Sequence, residues 1–220
     1  LRDGMLADYL SRIPGFPHAE PLPVRETSIR QLGRSCQIDE AHADRVTAFS
    51  LSLFDSAEAC GLHTLSERSR EILAHAAYLH DTGQFISFTG HHQHSFYLIT
   101  HAPLLGFHED EILRIALLSR YHRKRMPRPR DPGYRGLDGG VRREVQILSV
   151  FLRMAENLDR SHDGRVEAAF LSRSGKQRVV LTIRCRSDCT LEEWALAGDS
   201  GSFEQVFGRP LEITVRPAGT

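Results

Sequence analysis

The stretch AYLHDTGQ, residues 77–84, decides how this chain is read. It closes a segment whose apolar residues recur at helical spacing, and His80 stands four residues after Ala76 and seven after Leu73. His80 therefore continues the stripe that a helix buries, and Asp81 follows Ala77 in the same way. A buried carboxylate costs several kcal/mol unless a partner neutralises it, as a metal ion can. The reading then turns on whether other segments offer ligands in the same manner.

Four of them do. His42 precedes Val46, Phe49 and Leu53 on the inward face of its segment. His122 follows Ile115 and Leu118, His94 precedes Leu98, and Asp159 follows Leu148, Leu152 and Ala155. One such residue alone reads as a satisfied core histidine or a capping aspartate. Five helices making the same costly choice suit a shared divalent ion, one or two of Mn, Fe, Mg or Zn. Imidazole and carboxylate without sulfur favour a catalytic site with open positions over a closed structural one.

Around these residues the spacing predicts helices at 2–12, 27–36, 39–60, 66–81, 91–101, 108–123 and 141–158. Asp39 serves as an N-cap, and Gly61 lies just past a helix end. Residues 178–185 and 211–215 read as strands, 166–171 pairs with 178–185 as a hairpin, and 191–206 is helical. The fold class is mainly α: a helical bundle followed by a small α+β part. The divisions are 1–24, an N-terminal helix and Pro-rich linker; 25–162, the helical domain; and 163–220, the α+β subdomain.

Composition narrows the class. The 220 residues carry no formal net charge, which argues for neither nucleic acid nor membrane, and duplex nucleic acid is the poorer fit for a short basic patch. No apolar run nears the ~20 residues that span a bilayer. The four cysteines, with Cys185 and Cys189 spaced C-x3-C, read as reduced thiols of a cytoplasmic protein. Leu1 in place of methionine suggests a piece of a longer chain. Residues 120–130, RYHRKRMPRPR, hold six basic side chains around His122. Such charge is what phosphoryl chemistry requires to hold a polyanion, although a charge run is also commonly a solvated face. Arg30 is expected to pair with Glu26, and His91 and His92, opening a helix, to face solvent. Trp194, Phe203 and Phe207 are read as the core joining the tail to the bundle, and Phe96 and Tyr97 as packing. A homodimer fits an exposed apolar face on the tail helix.

The order H…HD…D, in His42, His80-Asp81 and Asp159, resembles the motif of HD-domain metal-dependent phosphohydrolases. His94 and His122 resemble the additional histidines that hold a second metal in some members. LHDTG (79–83), HHQHSFYLI (91–99), ALLSRYHRK (116–124), LRMAENLDRS (152–161) and FEQVFGRPLEI (203–213) resemble the C-terminal region of Ppx/GppA proteins, the exopolyphosphatases and guanosine pentaphosphate phosphohydrolases. LRDGMLADYL (1–10) resembles the segment that closes the preceding domain in that family. Thr82 and Glu156-Asn157 depart from the usual pattern.

The resemblance implies metal ligands at His42, His80, Asp81, His94, His122 and Asp159. It also implies catalytic roles for Asp81 and His122, and substrate contacts from Arg123, Lys124 and Arg125. The substrate class is a phosphorylated small molecule or polyphosphate. In that family the recognised phosphatase site lies in an N-terminal actin-like pair of domains, which nothing here matches. Two readings follow: a metal-dependent phosphohydrolase, or a non-catalytic polyphosphate-binding or dimerisation module.

Overall fold

The computed structural model describes residues 23–175 and 177–219. The helix expected at 2–12 and the Pro-rich link before Pro23 lie outside them. The described residues form α1 (Val24–Ser35), α2 (Glu40–Ala59), α3 (Glu67–Leu79), a 3-10 turn (Thr82–Phe85), α4 (His91–His101), α5 (Glu109–Tyr121) and α6 (Gly139–Leu158). A hairpin of β1 (Val166–Ser174) and β2 (Arg178–Cys185), then α7 (Thr190–Phe207) and β3 (Leu211–Pro217), complete the chain. The mainly α architecture with a small α+β end is what the periodicity implies.

Local chemistry sets the helix borders. The Asp39 carboxylate accepts the His42 amide at 3.1 Å and starts α2. Asp138 does the same for α6 through Val141 at 2.9 Å. Gly61, at φ +63°, ends the α2 segment in the left-handed conformation that glycine adopts without strain. Central α6 packs against α2, α3, α5 and α7, and Val145, Leu148, Phe151, Leu152 and Ala155 on it are buried. Truncating such a side chain to alanine typically costs about 2–5 kcal/mol.

The three strands lie in the order β1-β2-β3, with β1 antiparallel and β3 parallel to β2. The parallel pair needs a crossover, which α7 supplies. Leu171 faces Leu181, which in turn faces Ile213. The sheet is tied to the bundle through Ser52 Oγ, which donates to the Ala169 carbonyl at 2.7 Å. Phe203 is fully buried, and Phe207 stacks on Phe151 with centroids 5.7 Å apart.

Four expectations are corrected. Cys185 and Cys189 form a disulfide, their Cα atoms 6.4 Å apart, because β2 ends where α7 begins; only Cys36 and Cys60 are free thiols. Trp194 is 73% exposed, since it lies on the face of α7 turned away from Phe203. Tyr97 is likewise exposed, while Phe96 packs on the core. His91 is buried, because α4 lies with its first turn against the end of α3. Arg30 pairs with Glu26 at 3.0 Å, as expected. No helix among the described residues is long and apolar enough to cross a membrane.

Candidate metal centre

α3 stops at Leu79, and the chain turns so that His80 and Asp81 both point inward, His80 Nε2 lying 3.6 Å from Asp81 Oδ2. Thr82 Oγ donates to the Leu79 carbonyl at 2.9 Å and covers one of the acceptors the helix leaves open. Ser95 of α4 latches the turn: its Oγ donates to the His80 carbonyl at 2.7 Å and accepts the Gly83 amide at 2.9 Å. Only glycine fits at position 83, because a Cβ there would lie 2.0 Å from the His91 carbonyl oxygen and 2.4 Å from the Ser95 nitrogen. LHDTG is thus a seat for the first turn of α4.

Two groups of three ligand atoms result, each within 4.8 Å of one another: His42, His80 and Glu156; and Asp81, His91 and His122. The four imidazoles are oriented alike. Each presents its Nδ1 to an acceptor: Asp159 at 2.7 Å for His42, the Ala77 carbonyl at 2.6 Å for His80, the Phe88 carbonyl at 3.0 Å for His91, and the Ser119 carbonyl at 2.6 Å for His122. These acceptors hold a proton on Nδ1 and turn Nε2 inward, the orientation that metal-binding histidines adopt.

In the first group Glu156 Oε2 lies 3.1 Å from both His42 Nε2 and His80 Nε2. Burial opposes a charge on Glu156, but these contacts outweigh it and hold its carboxyl well below the usual range. Burial likewise opposes a charge on His42, yet Asp159 and Glu156 raise it to about 9.

The second group is less settled. His91 Nε2 and His122 Nε2 face one another at 3.1 Å, although both rings have their protons on Nδ1. Asp81 Oδ1 lies 3.1 Å and 3.7 Å from these nitrogens, but it is buried and no hydrogen bond reaches it. Burial and the neighbouring His80 push His122 down to about 3, so it resists taking the proton that would relieve the contact. Burial also opposes a charge on Asp81, yet the charge of neighbouring His80 keeps its carboxyl well below the ordinary carboxylate range. Lone pairs converging on a carboxylate oxygen that has no donor fit a cation between them, while the other oxygen accepts the Gln84 side-chain amide.

Of the residues expected from the sequence, His42, His80, Asp81 and His122 come together. Asp159 stands behind His42, its Oδ2 also accepting Arg45 at 2.8 Å and its Oδ1 the Gly164 amide at 3.2 Å. His94 falls in neither group and lies over Gly83. Glu156 and His91 escaped the sequence reading, though both carried its signal. Glu156 follows Leu148 and Leu152 at spacings of eight and four, and His91 precedes buried Ser95 and Ile99 at the same spacings.

The basic loop divides in two. Arg125 is held by Asp131 through two contacts of 2.6 and 2.8 Å, and Tyr121 donates to the same carboxylate at 2.8 Å, so Arg125 braces the loop. Arg123 reaches toward the second group, its Nη1 3.5 Å from His91 Nε2. Lys124 is exposed and sits at φ +68°, which is strained for a side chain of this size. Gln37 and His162 share that conformation, and both line the cleft of about 580 Å³ that opens onto His42, His80 and Asp81. All three left-handed non-glycine residues among the described ones thus rim the two groups, where backbone strain commonly marks a functional site.

Comparison with known proteins places the chain in a family. The family described as Ppx/GppA phosphatase, domain III, matches residues 24–200. A guanosine-5'-triphosphate,3'-diphosphate pyrophosphatase of Pseudoalteromonas atlantica is 30% identical over 134 residues, 57% of this chain and 25% of that relative. One from Photobacterium profundum is 28% identical over 184 residues, 83% of this chain and 34% of that relative. The chain therefore spans about a quarter to a third of the length of these curated relatives. With the family's match running from α1 into α7, across both ligand groups, this chain belongs to the Ppx/GppA phosphatase domain III family.

Proposed function

We propose that this chain is a metal-dependent phosphohydrolase of the HD type, acting on a phosphoanhydride or phosphate ester. The observation that supports it best is the second ligand group, where His91, His122 and Asp81 turn lone pairs on one another with no proton to share. His42, His80 and Glu156 would hold one divalent ion, and Asp81, His91 and His122 a second. Such ions supply Lewis acidity, which polarises a phosphoryl oxygen and lowers the pKa of a water. Asp159 positions His42, and its own place is fixed by Arg45 and Gly164. Asp81 would meet the second ion through Oδ1, which has no donor, while its Oδ2 accepts the Gln84 side-chain amide and is held in place by it. Arg123 and Lys124 face the clefts beside His122, where their charge would balance that developing on the phosphoryl oxygens. The relatives' activity on guanosine 5'-triphosphate 3'-diphosphate makes guanosine polyphosphates the first substrates to try.

The test is metal content by plasma mass spectrometry after incubation with Mn²⁺, alongside phosphate release. One or two equivalents in the wild type, reduced in Asp81→Ala with loss of turnover, is the expected outcome. A folded protein that takes up no metal overturns the reading.

A second reading has its own support in the chain's short span of its relatives: a polyphosphate-gripping module of a longer enzyme. In that case Asp81→Ala keeps polyphosphate affinity, whereas reversing the charges of Arg123 and Lys124 abolishes it.

A further inference from the structure

Apart from the 580 Å³ opening, a smaller cleft of about 250 Å³ is lined at one end by His122 and Glu156 of the two ligand groups. One of its walls is Trp194, whose indole is 73% exposed and makes no ring or cation contact among the described residues. An indole offers a large, flat apolar face, and this one stands at the mouth of a cleft where a planar group can lie against it. The rest of the cleft is polar and cationic. Arg123, Lys124 and Asn157 line it, while Arg160 lies 3.9 Å from Glu156 and the charge of Arg153 is taken up by Asp199 at 2.6 Å. Gly198, one turn beyond Trp194 on α7, adds no side chain, and a Cβ there would meet nothing within 4 Å. The cleft thus joins a flat aromatic wall, an open floor and unspent positive charge to the ligand groups at its inner end.

That combination selects a ligand with a planar ring at one end and phosphates at the other. We infer that Trp194 is the stacking wall of a nucleobase subsite, so that a nucleotide lies with its base on the indole and its phosphates toward Arg123, Lys124 and His122. The direction of the phosphates rests on the proposed hydrolase site; the base subsite rests on the cleft. Stacking on an aromatic face tolerates every base, so ATP and GTP are held alike. Inorganic tripolyphosphate meets the same cations but leaves the indole bare.

Trp194 is the sole tryptophan of the chain, so its emission reports on the subsite directly. Titration of the intact chain with GTP, ATP and tripolyphosphate is expected to give saturable quenching with both nucleotides and none with tripolyphosphate. Trp194→Ala, read by calorimetry, weakens nucleotide binding roughly 5- to 100-fold, the range expected for loss of one base–aromatic stack. It leaves tripolyphosphate affinity within about twofold, and Trp194→Phe restores most of the loss. Equal loss for nucleotide and tripolyphosphate, or no quenching by either nucleotide, overturns the inference. So does an emission that is already blue-shifted in a chain that sediments as a dimer, because the indole is then covered by a second copy. Quenching without phosphate release sinks the hydrolase and leaves the subsite. Phosphate release from nucleotides that Trp194→Ala does not alter sinks the subsite and leaves the hydrolase.

Discussion

The two ligand groups share a wall of histidines but differ in how far the protein satisfies them. In His42, His80 and Glu156, one carboxylate oxygen is shared by two imidazole nitrogens at 3.1 Å each, so protons can occupy the positions a metal would take. In Asp81, His91 and His122, two nitrogens oppose one another at the same distance and a buried carboxylate oxygen goes without a donor. The first group is a salt bridge that can exchange protons for a cation; the second sets two acceptor nitrogens and a carboxylate oxygen against one another. A buried polar group left unpaired costs about 1–3 kcal/mol. A cation therefore gains more from the second group than from a site already at peace.

The difference can be broken most severely at Gly83. Gly83→Ala drives a methyl group into the backbone of His91 and Ser95, so α4 must lift away and carry His91 with it. A loss of about 3 kcal/mol or more in urea unfolding is expected. The fraction that folds should lose the second group's metal before the first's, as read by metal content.

Removing each carboxylate in turn comes next. Glu156→Gln leaves the buried imidazoles of His42 and His80 without their counter-charge, and about 3 kcal/mol of metal-free stability should go with it. Asp81→Asn, at a group partly open to water, should cost about 1 kcal/mol without metal while still reducing metal uptake. Equal destabilisation by the two changes would remove the distinction between the groups.

A finer probe is Asp159→Asn, which keeps the shape but weakens the support of His42 Nδ1. Metal affinity of the first group should fall about 10- to 100-fold, as read by competition with a chelating dye, with the second group little changed.

The smallest expected effect belongs to a third kind of buried histidine. His63 donates from Nε2 to the Phe54 carbonyl at 3.0 Å and accepts the Leu65 amide on Nδ1 at 3.1 Å, so it is satisfied as a neutral ring. Burial lowers its pKa. The unfolded chain therefore binds more protons than the native one below the ordinary histidine value. The stability this ring contributes is complete above that value and declines as pH falls toward the native one. Thermal unfolding between pH 7.5 and 5 should show that loss with or without chelator, and His63→Gln should flatten it.

Much of the candidate centre was readable in advance because helical periodicity is local. His42, His80, Asp81 and His122 were found by asking which ionisable residue continues an apolar stripe, and the same rule extended to Glu156 and His91 marks them too. His91 was set aside because its helix was read as opening into water, and the seat that Gly83 provides for α4 lies in another segment. Cys185 and Cys189 show a related gap. A C-x3-C spacing carries no information on whether a strand end and a helix start will bring the sulfurs together. Trp194 was read as core because aromatic residues at helical spacing usually are, and spacing alone does not say which side of α7 meets α6.

What the sequence determined by itself was the class of elements, their order and the set of polar residues placed against the core, since those follow from propensity, capping and spacing within a few turns. Tertiary structure alone decided which carboxylate at the end of α6 faces the imidazoles and which supports one from behind. Glu156 and Asp159 are three residues apart on nearly the same face, and only the rotation of α6 against α2 and α3, set by side-chain packing across the core, tells them apart.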